Sequence, residues 1–413
     1  MTTGLNIVIL NDFAYVEGGA SQVALRGAMG LAARGHSVTL IAAVGPVMPE
    51  LAQSRVKVLC TDQAAIAEDP NRLRAAGQGL WNRRAGRQLA RLLEQADPSE
   101  TVVHLHGWTK ALSSSVVRAA VNKGVKVVCT LHDYFTACPN GGFFHYPEQR
   151  ICHLRGMSSA CILSHCDKRS YAHKLWRVIR QWGQQRYGLI PGGIHSFIAP
   201  SYFSREILAG SLPTSAHVDV VSNPVDGLRE APAPVETNRA FVMIGRLSPE
   251  KGPGLFAQAA AVAGCEEAVF AGDGEYRDEI LSICPTAKVT GWLSRLQVAG
   301  ILQGARALVC PSLCYETQAL VVLEAAARGV PAVVSDQSAG REAVLDGVTG
   351  LWFKGGDVDD LADKIRMLQS ASLAMRLGRA AYERYWANPC SLEAHVAQLE
   401  MVYRRVLHLQ AKE

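Results

Sequence analysis

The chain has 413 residues, 48% apolar and 19% charged, which excludes a disordered protein and exceeds what one ordinary core holds, so two domains are expected. Eleven cysteines, odd in number and scattered, fit reduced thiols in a cytosol better than a disulfide framework. Residues 1–200 carry 22 Lys and Arg against 12 Asp and Glu, while residues 201–413 carry 20 against 25, so the first half faces an anionic partner; no nucleic-acid motif is visible.

The chain opens on the strand "LNIVIL", broken by Asn11 and Asp12 and preceded by no basic stretch, which reads as a strand and not a signal peptide. No apolar run is long enough to cross a bilayer, so the expectation is a cytoplasmic protein, peripheral at most at the cytoplasmic face of the membrane. "EGG" then turns into a helix over "ASQVALRGAMGLAARG", with Gly35 as its C-cap, and "SVTLIAA" is the next strand. The alternation continues with strand "TVVHLHG", helix "TKALSSSVVRAAVNKG", and strands "VKVVCTLHD" and "IHSFIAPS". Short apolar strands separated by helices predict a parallel sheet covered on both faces.

Residues 222–239, rich in Pro, Ala and charge, read as a linker. A second series follows: strand "AFVMIGR", helix "GPGLFAQAAAVAG", strands "EAVFAGDG" and "AKVTGW", helix "SRLQVAGILQGA", strand "RALVCPS", helix "ALVVLEAAARG" and strand "VPAVVSD". The expected fold class is α/β, two doubly wound domains facing a cleft: 1–221, a linker 222–239, 240–384, and a final amphipathic helix within 385–413.

Three segments carry candidate chemistry. "GRLSPEKG" sets Arg246 and Lys251 on one strand-end loop, suited to a diphosphate as fork and point charge, or else two solvated surface cations. "GDGEY" contributes the strand-end glycines Gly272 and Gly274. In "CYETQALVVLEA", Glu316 and Glu324 stand eight residues apart; Thr317 is the expected N-cap of a helix from Gln318 to Arg328, which puts Glu316 in the loop and Glu324 two turns in. The helix start offers free N–H groups to a phosphate. Without a ligand, Glu324 reads as an exposed helix residue and Glu316 as a loop carboxylate.

Two regions bear on partners. Arg72, Arg74, Arg83, Arg84, Arg87 and Arg91, and then Lys168, Arg169, Lys174, Arg177, Arg180 and Arg186 with Trp176 and Trp182, suit an anionic membrane surface, or equally a solvated face with its Trp packed inward. Cys138, Cys152, Cys161 and Cys166, with His145, His153 and His165, offer a structural Zn²⁺ cluster, but the spacing lacks paired knuckles and small buried thiols are the alternative.

"IGRLSPEKG", "AGDGEYRDEI", "VTGWLS", "VCPSLCYETQALVVLEAAARGVPAVVSD", "REAVLDGVTGLWF" and, in the first half, "EGGASQVALRGAMGLAARGHSVTLI", "TLHDYFTACP", "FIAPSYFSREIL" and "SNPVD" together resemble the retaining GT-B glycosyltransferases of family 4, over most of the chain and in order. The resemblance implies a nucleoside-diphosphate sugar as donor substrate, no cofactor and no catalytic metal. It implies that Arg246 and Lys251 hold the diphosphate, that Glu316 lies beside the sugar, and that Glu324 binds the ribose. It also places His132 at the reacting centre, Gly18 and Gly19 in the loop near donor phosphate and acceptor, and Trp292 and Leu293 at the base. Thr317, Gln318, Ala319 and Leu320 line the donor, with Gln318 and Ala319 departing from the family's usual residues. The final helix is expected to cross back to the first domain. The implied activity is transfer of a sugar to an acceptor hydroxyl, lipid-linked or saccharide, in bacterial surface polysaccharide or glycolipid synthesis. A nucleotide-sugar epimerase on the same fold and a non-catalytic nucleotide-sugar binding protein are the alternatives.

Overall fold

The computed structural model describes residues 4–408 apart from Asp226 and Leu228; the expectations that reach residues 1–3, 409–413 and those two linker positions lie outside the described residues.

The first sheet is built from β1 (Asn6–Phe13), β2 (Ser37–Val44), β3 (Lys57–Cys60), β4 (Thr101–Leu105) and β5 (Lys126–Thr130). After β5 comes a small hairpin, β6 (Phe144–His145) with β7 (Arg150–Ile151), and the sheet is completed by β8 (Ser196–Ala199) and β9 (His217–Val220). The second sheet contains β10 (Ala240–Ile244), β11 (Glu267–Ala271), β12 (Lys288–Val289), β13 (Ala305–Cys310), β14 (Ala332–Ser335) and β15 (Gly350–Phe353). Strand order is β3-β2-β1-β4-β5-β8-β9 in one sheet and β12-β11-β10-β13-β14-β15 in the other, with every pairing in both parallel. In each, the order reverses beside the first strand, between β1 and β4 and between β10 and β13, where an open parallel sheet leaves a crevice at its carboxyl edge.

Each sheet is covered on both faces because its strands read as continuous apolar runs; Val8, Leu10 and Val103 face one core, Ile7, Ile9 and Val102 the other. The final helix, Leu392–His408, belongs to that second core, burying Val396, Leu399, Val402, Tyr403 and Val406 against Leu25, Ala28 and Leu31 of the helix Gly19–Ala33. The helix before it, Ala371–Ala387, packs Ala374 and Leu377 into the core of the second sheet. The chain therefore crosses between domains at residues 388–391. Arg34 and His36, at 2.8 and 2.7 Å from the Glu400 carboxylate, and Arg405 on Asp219 fix the returning helix at the rim.

Three sequence expectations change. The helix expected over 109–124 is confined to Ser115–Asn122, because the buried Asp12 carboxylate accepts the backbone N–H groups of Lys110, Ala111 and Leu112 at 2.8–2.9 Å and holds that segment as a loop. The arginine-rich region is two helices, Arg72–Leu80 and Arg83–Leu92, each started by an asparagine cap, Asn71 and Asn82. Of the second basic region, Lys174 and Arg180 point inward: Arg180 donates to the Thr109 and Pro139 carbonyls, and Lys174 Nζ lies 3.1 Å from Cys166 Sγ and 3.6 Å from Cys161 Sγ. That ammonium occupies the space between two of the four clustered thiols, and among the described residues no three metal-ligating side chains form a metal-holding group.

Candidate active site in the interdomain cleft

The carboxyl edges of the two sheets face one another, and the loops after β10 and β13 carry most of the candidate residues. After β10, Pro249–Lys251 form a short 3₁₀ turn closed by Gly252 at φ +69°; a Cβ there would stand 2.2 Å from the Pro311 carbonyl oxygen, so only glycine lets this turn lie against the loop following β13. That contact brings Lys251 Nζ to 3.0 Å from Glu316 Oε1, which also accepts from Ser312 Oγ. Gly272 and Gly274 play the same part on the other side. A Cβ on either would meet the Gly245 or Leu247 carbonyl oxygen at 1.8 or 2.3 Å, so the loop after β11 supports the one after β10.

The predicted helix at Gln318 begins instead at Leu320 and runs to Ala326, so Glu324 lies in its second turn, about one turn from the start. Thr317 does not cap it. Its Oγ1 donates across the cleft to the His132 carbonyl at 3.1 Å, and its own carbonyl accepts from Ser201 Oγ at 2.6 Å. Gln318 ties the second domain to the start of the linker, its Oε1 accepting from Asn223 N at 2.9 Å, and Ala319 is buried with φ −86°. A Cβ on Gly19 would stand 3.7 Å from Leu320 Cδ1, whereas Gly18 opens onto free space.

His132, Thr317, Glu316, Lys251, Gly19 and Leu320 are thus gathered along one cleft. Arg246 is set apart: its side chain is 77% exposed and 3.7 Å from Glu250. Trp292 is 81% exposed, on the turn that follows β12.

Electrostatically the cleft is uneven. Burial pulls the Lys251 ammonium down, but Glu316 outweighs it and holds Lys251 above its ordinary value; burial pushes the neighbouring Cys310 and Cys314 thiols up to about 12. Burial also raises Glu324, against the pull of Arg295 and Arg328. On the opposite wall, burial lowers His132 to about 3 and keeps it a neutral imidazole, while it raises the adjacent Asp133 to about 6.

Three residues of the site escaped the sequence reading. Asp12 shapes the loop facing the cleft, Ser312 holds Glu316, and His106, buried at the end of β4, meets His132 with Nδ1 to Nε2 at 2.9 Å. Asp12 had a signal in the sequence, an acid ending an apolar strand; Ser312 and His106 had none beyond their strand-end positions.

Residues 17–227 match Glycosyltransferase Family 4, and residues 238–370 match Glycosyl transferases group 1. The chain belongs to glycosyltransferase family 4. A glycogen synthase of Mycobacterium tuberculosis is 27% identical over 308 residues, 67% of this chain and 70% of that one. A UDP-Gal:alpha-D-GlcNAc-diphosphoundecaprenol alpha-1,3-galactosyltransferase of Escherichia coli is 28% identical over 138 residues, 30% of this chain and 35% of that one. The structure of Anabaena HepE in complex with UDP and glucose shares the fold at a TM-score of 0.64 and 17% identity, covering 97% of this chain and all of that one (100%). The two facing Rossmann-like domains are those of a GT-B glycosyltransferase.

In this family 4 member the domains are latched as well as facing. Glu342, beyond β14, accepts the backbone N–H groups of Tyr202 (3.1 Å) and Phe203, the first residues of the helix Tyr202–Ala209 in the other domain. Glu342→Ala is expected to cost this domain arrangement about 1.4 kcal/mol and to raise the donor KM roughly tenfold with folding intact. An unchanged KM in steady-state assays refutes the latch.

The buried histidines are expected to make the fold acid-sensitive. Burial holds His104, His106 and His395 below the ordinary 6.5, so as pH falls through that value the unfolded chain takes up protons that the native one does not. Stability is expected to fall by roughly 1 kcal/mol per pH unit for each fully buried imidazole below about 6.5. Urea midpoints at about pH 7.5 and 5.5 check this; equal midpoints contradict it.

Proposed function

We propose that this family 4 glycosyltransferase moves a sugar from a nucleoside diphosphate to an acceptor hydroxyl with retention and without a catalytic metal. The observation that carries the reading is the Lys251–Glu316 pair at the point where the strand order of the second sheet reverses. A departing diphosphate needs positive charge fixed in advance. Lys251 is ordered by Glu316, which Ser312 holds in turn, and Arg246, exposed on the same loop and paired at 3.7 Å with Glu250, turns to the phosphates when they arrive. One oxygen of Glu316 is spent on Lys251 and Ser312, so the carboxylate orients the cation and meets the sugar with Oε2. Glu324, half-buried on a short helix, takes the ribose hydroxyls. His132, neutral, offers a hydrogen bond to the sugar or acceptor oxygen from the opposite wall.

A screen of nucleoside-diphosphate sugars against lipid extracts and oligosaccharides, read by nucleoside diphosphate release and by the anomeric configuration of the product, tests this. Diphosphate release with an α-linked product from an α-donor, insensitive to EDTA, is expected. Donor isomerisation without acceptor favours the epimerase, and binding without turnover the non-catalytic reading.

A lipid-linked acceptor, in surface polysaccharide or glycolipid synthesis, is favoured by the first domain's surface. A cavity of about 770 Å³ there is lined by Arg83, Arg84, Arg87 and Arg91, and Ile179 and Trp182 are exposed on the helix Tyr171–Arg186. No helix among the described residues is long and apolar enough to cross a membrane. Co-sedimentation with anionic vesicles that is lost at high salt supports the peripheral reading; no binding at low salt ends it.

A further inference from the structure

His132 does not stand alone. Its Nε2 lies 2.9 Å from His106 Nδ1, and the two rings are nearly parallel with centroids 5.2 Å apart. Behind His106, the His104 ring is 4.0 Å away, and His104 spends both nitrogens on hydroxyls, Nδ1 on Tyr403 at 2.6 Å and Nε2 on Thr130 at 2.8 Å. Tyr403 is buried on the returning helix. A column of three imidazoles therefore runs from the cleft to the element that ties the two domains together.

A hydrogen bond between two neutral imidazoles needs one N–H and one lone pair, so the state of His106 decides the state of His132. With Nε2 engaged by His106, only Nδ1 of His132 is left for a ligand. We infer that His106 is a positioning residue: it fixes the ring plane and the tautomer of His132, so that a single neutral nitrogen of defined character faces the reacting sugar. The inference rests on the reading of His132 as a group at the reacting centre. His104, itself held by Tyr403 and Thr130, prevents His106 from turning away. Other charged or titratable neighbours of the column are His395 on the returning helix, Asp133 beside His132, and Asp12, Lys110 and Arg180 around Asp133. The group that engages His132 Nε2 is His106 Nδ1.

The test compares the full chain with His106→Phe, which removes the partner nitrogen, and His106→Asn, whose amide replaces Nδ1. Imidazole ¹⁵N shifts of the unliganded protein read the tautomer and protonation of His132 without any turnover. In the unsubstituted protein His132 is expected as one neutral tautomer between about pH 5 and 8. In His106→Phe it is expected as a mixture of the two neutral tautomers, because burial still disfavours the imidazolium. For turnover, His106→Phe is expected to lose about 10²-fold in kcat with the donor KM nearly unchanged. His106→Asn should recover most of that loss. An unaltered His132 tautomer in a folded His106→Phe protein overturns the inference. A changed tautomer with unchanged kcat also overturns the positioning role, and if His132→Ala is equally active, the assignment of His132 to the reacting centre falls with it. Thermal melts identify a variant that fails to fold, in which case Tyr403→Phe supplies the same readouts from the far end of the column, with a smaller tautomer shift expected and none overturning the coupling.

Discussion

Lys251→Ala is expected to reduce nucleoside diphosphate release by about 10²–10³-fold, the range seen when one preorganised stabiliser of developing charge is removed. It should also lower stability by about 3 kcal/mol, because Glu316 would remain largely buried, 11% exposed, without its cation. Urea titration and a diphosphate-release assay measure the two effects, and a double substitution separates them. Lys251→Met with Glu316→Gln removes both charges and should regain most of the stability while staying inactive. Full activity in Lys251→Ala would show that the diphosphate is held elsewhere. Because Lys251 lies above its ordinary value when folded, the pair's contribution is complete below about pH 10.5 and fades only as pH rises beyond that, so the variant's deficit should be constant through neutral pH.

The second large effect is expected at Asp12, a carboxylate that organises a loop of the first domain. Asp12→Ala leaves the backbone N–H groups of Lys110, Ala111 and Leu112 without their acceptor in a mostly buried loop, at about 1–3 kcal/mol for each group that finds no water. A loss of roughly 4 kcal/mol is expected by urea unfolding. Asp12→Asn keeps one acceptor oxygen and should lose less than half of that. The same loop follows His106, so kcat should fall in both variants. If Asp12→Ala is as stable as the parent protein, the carboxylate is not what organises the segment.

What the sequence made legible was set by periodicity and by strand-end chemistry. Apolar strands such as "NIVIL" and "AFVMI" pair where the alternation of elements predicted, and Lys251 and Glu316, drawn from different loops, meet in the cleft. Misreadings arose where a partner lies far away in the chain. Thr317 looked like a local cap because its acceptor, the His132 carbonyl, is 185 residues distant. Asp12 looked like a mere interruption because its three donors come about a hundred residues later. Lys174 and Arg180 looked like surface cations because helical spacing does not reveal that the insertion over 131–170 folds across them. Gln318, a departure from the family's usual residue, has a local meaning that only the fold supplies: it holds Asn223 at the start of the linker.

The returning helix has a consequence for synthesis. Val396, Leu399, Val402 and Tyr403 complete a core otherwise assembled from the first 221 residues, yet they are translated only after all of the second domain. The domain begun first is the one finished last. Until then the nascent protein presents the uncovered apolar face of Leu25, Ala28 and Leu31, a surface for a chaperone to shield, and the imidazole column beneath His132 has no Tyr403 to rest on. Ribosome-bound intermediates should therefore lack a finished first-domain wall of the cleft, whatever the state of the second domain.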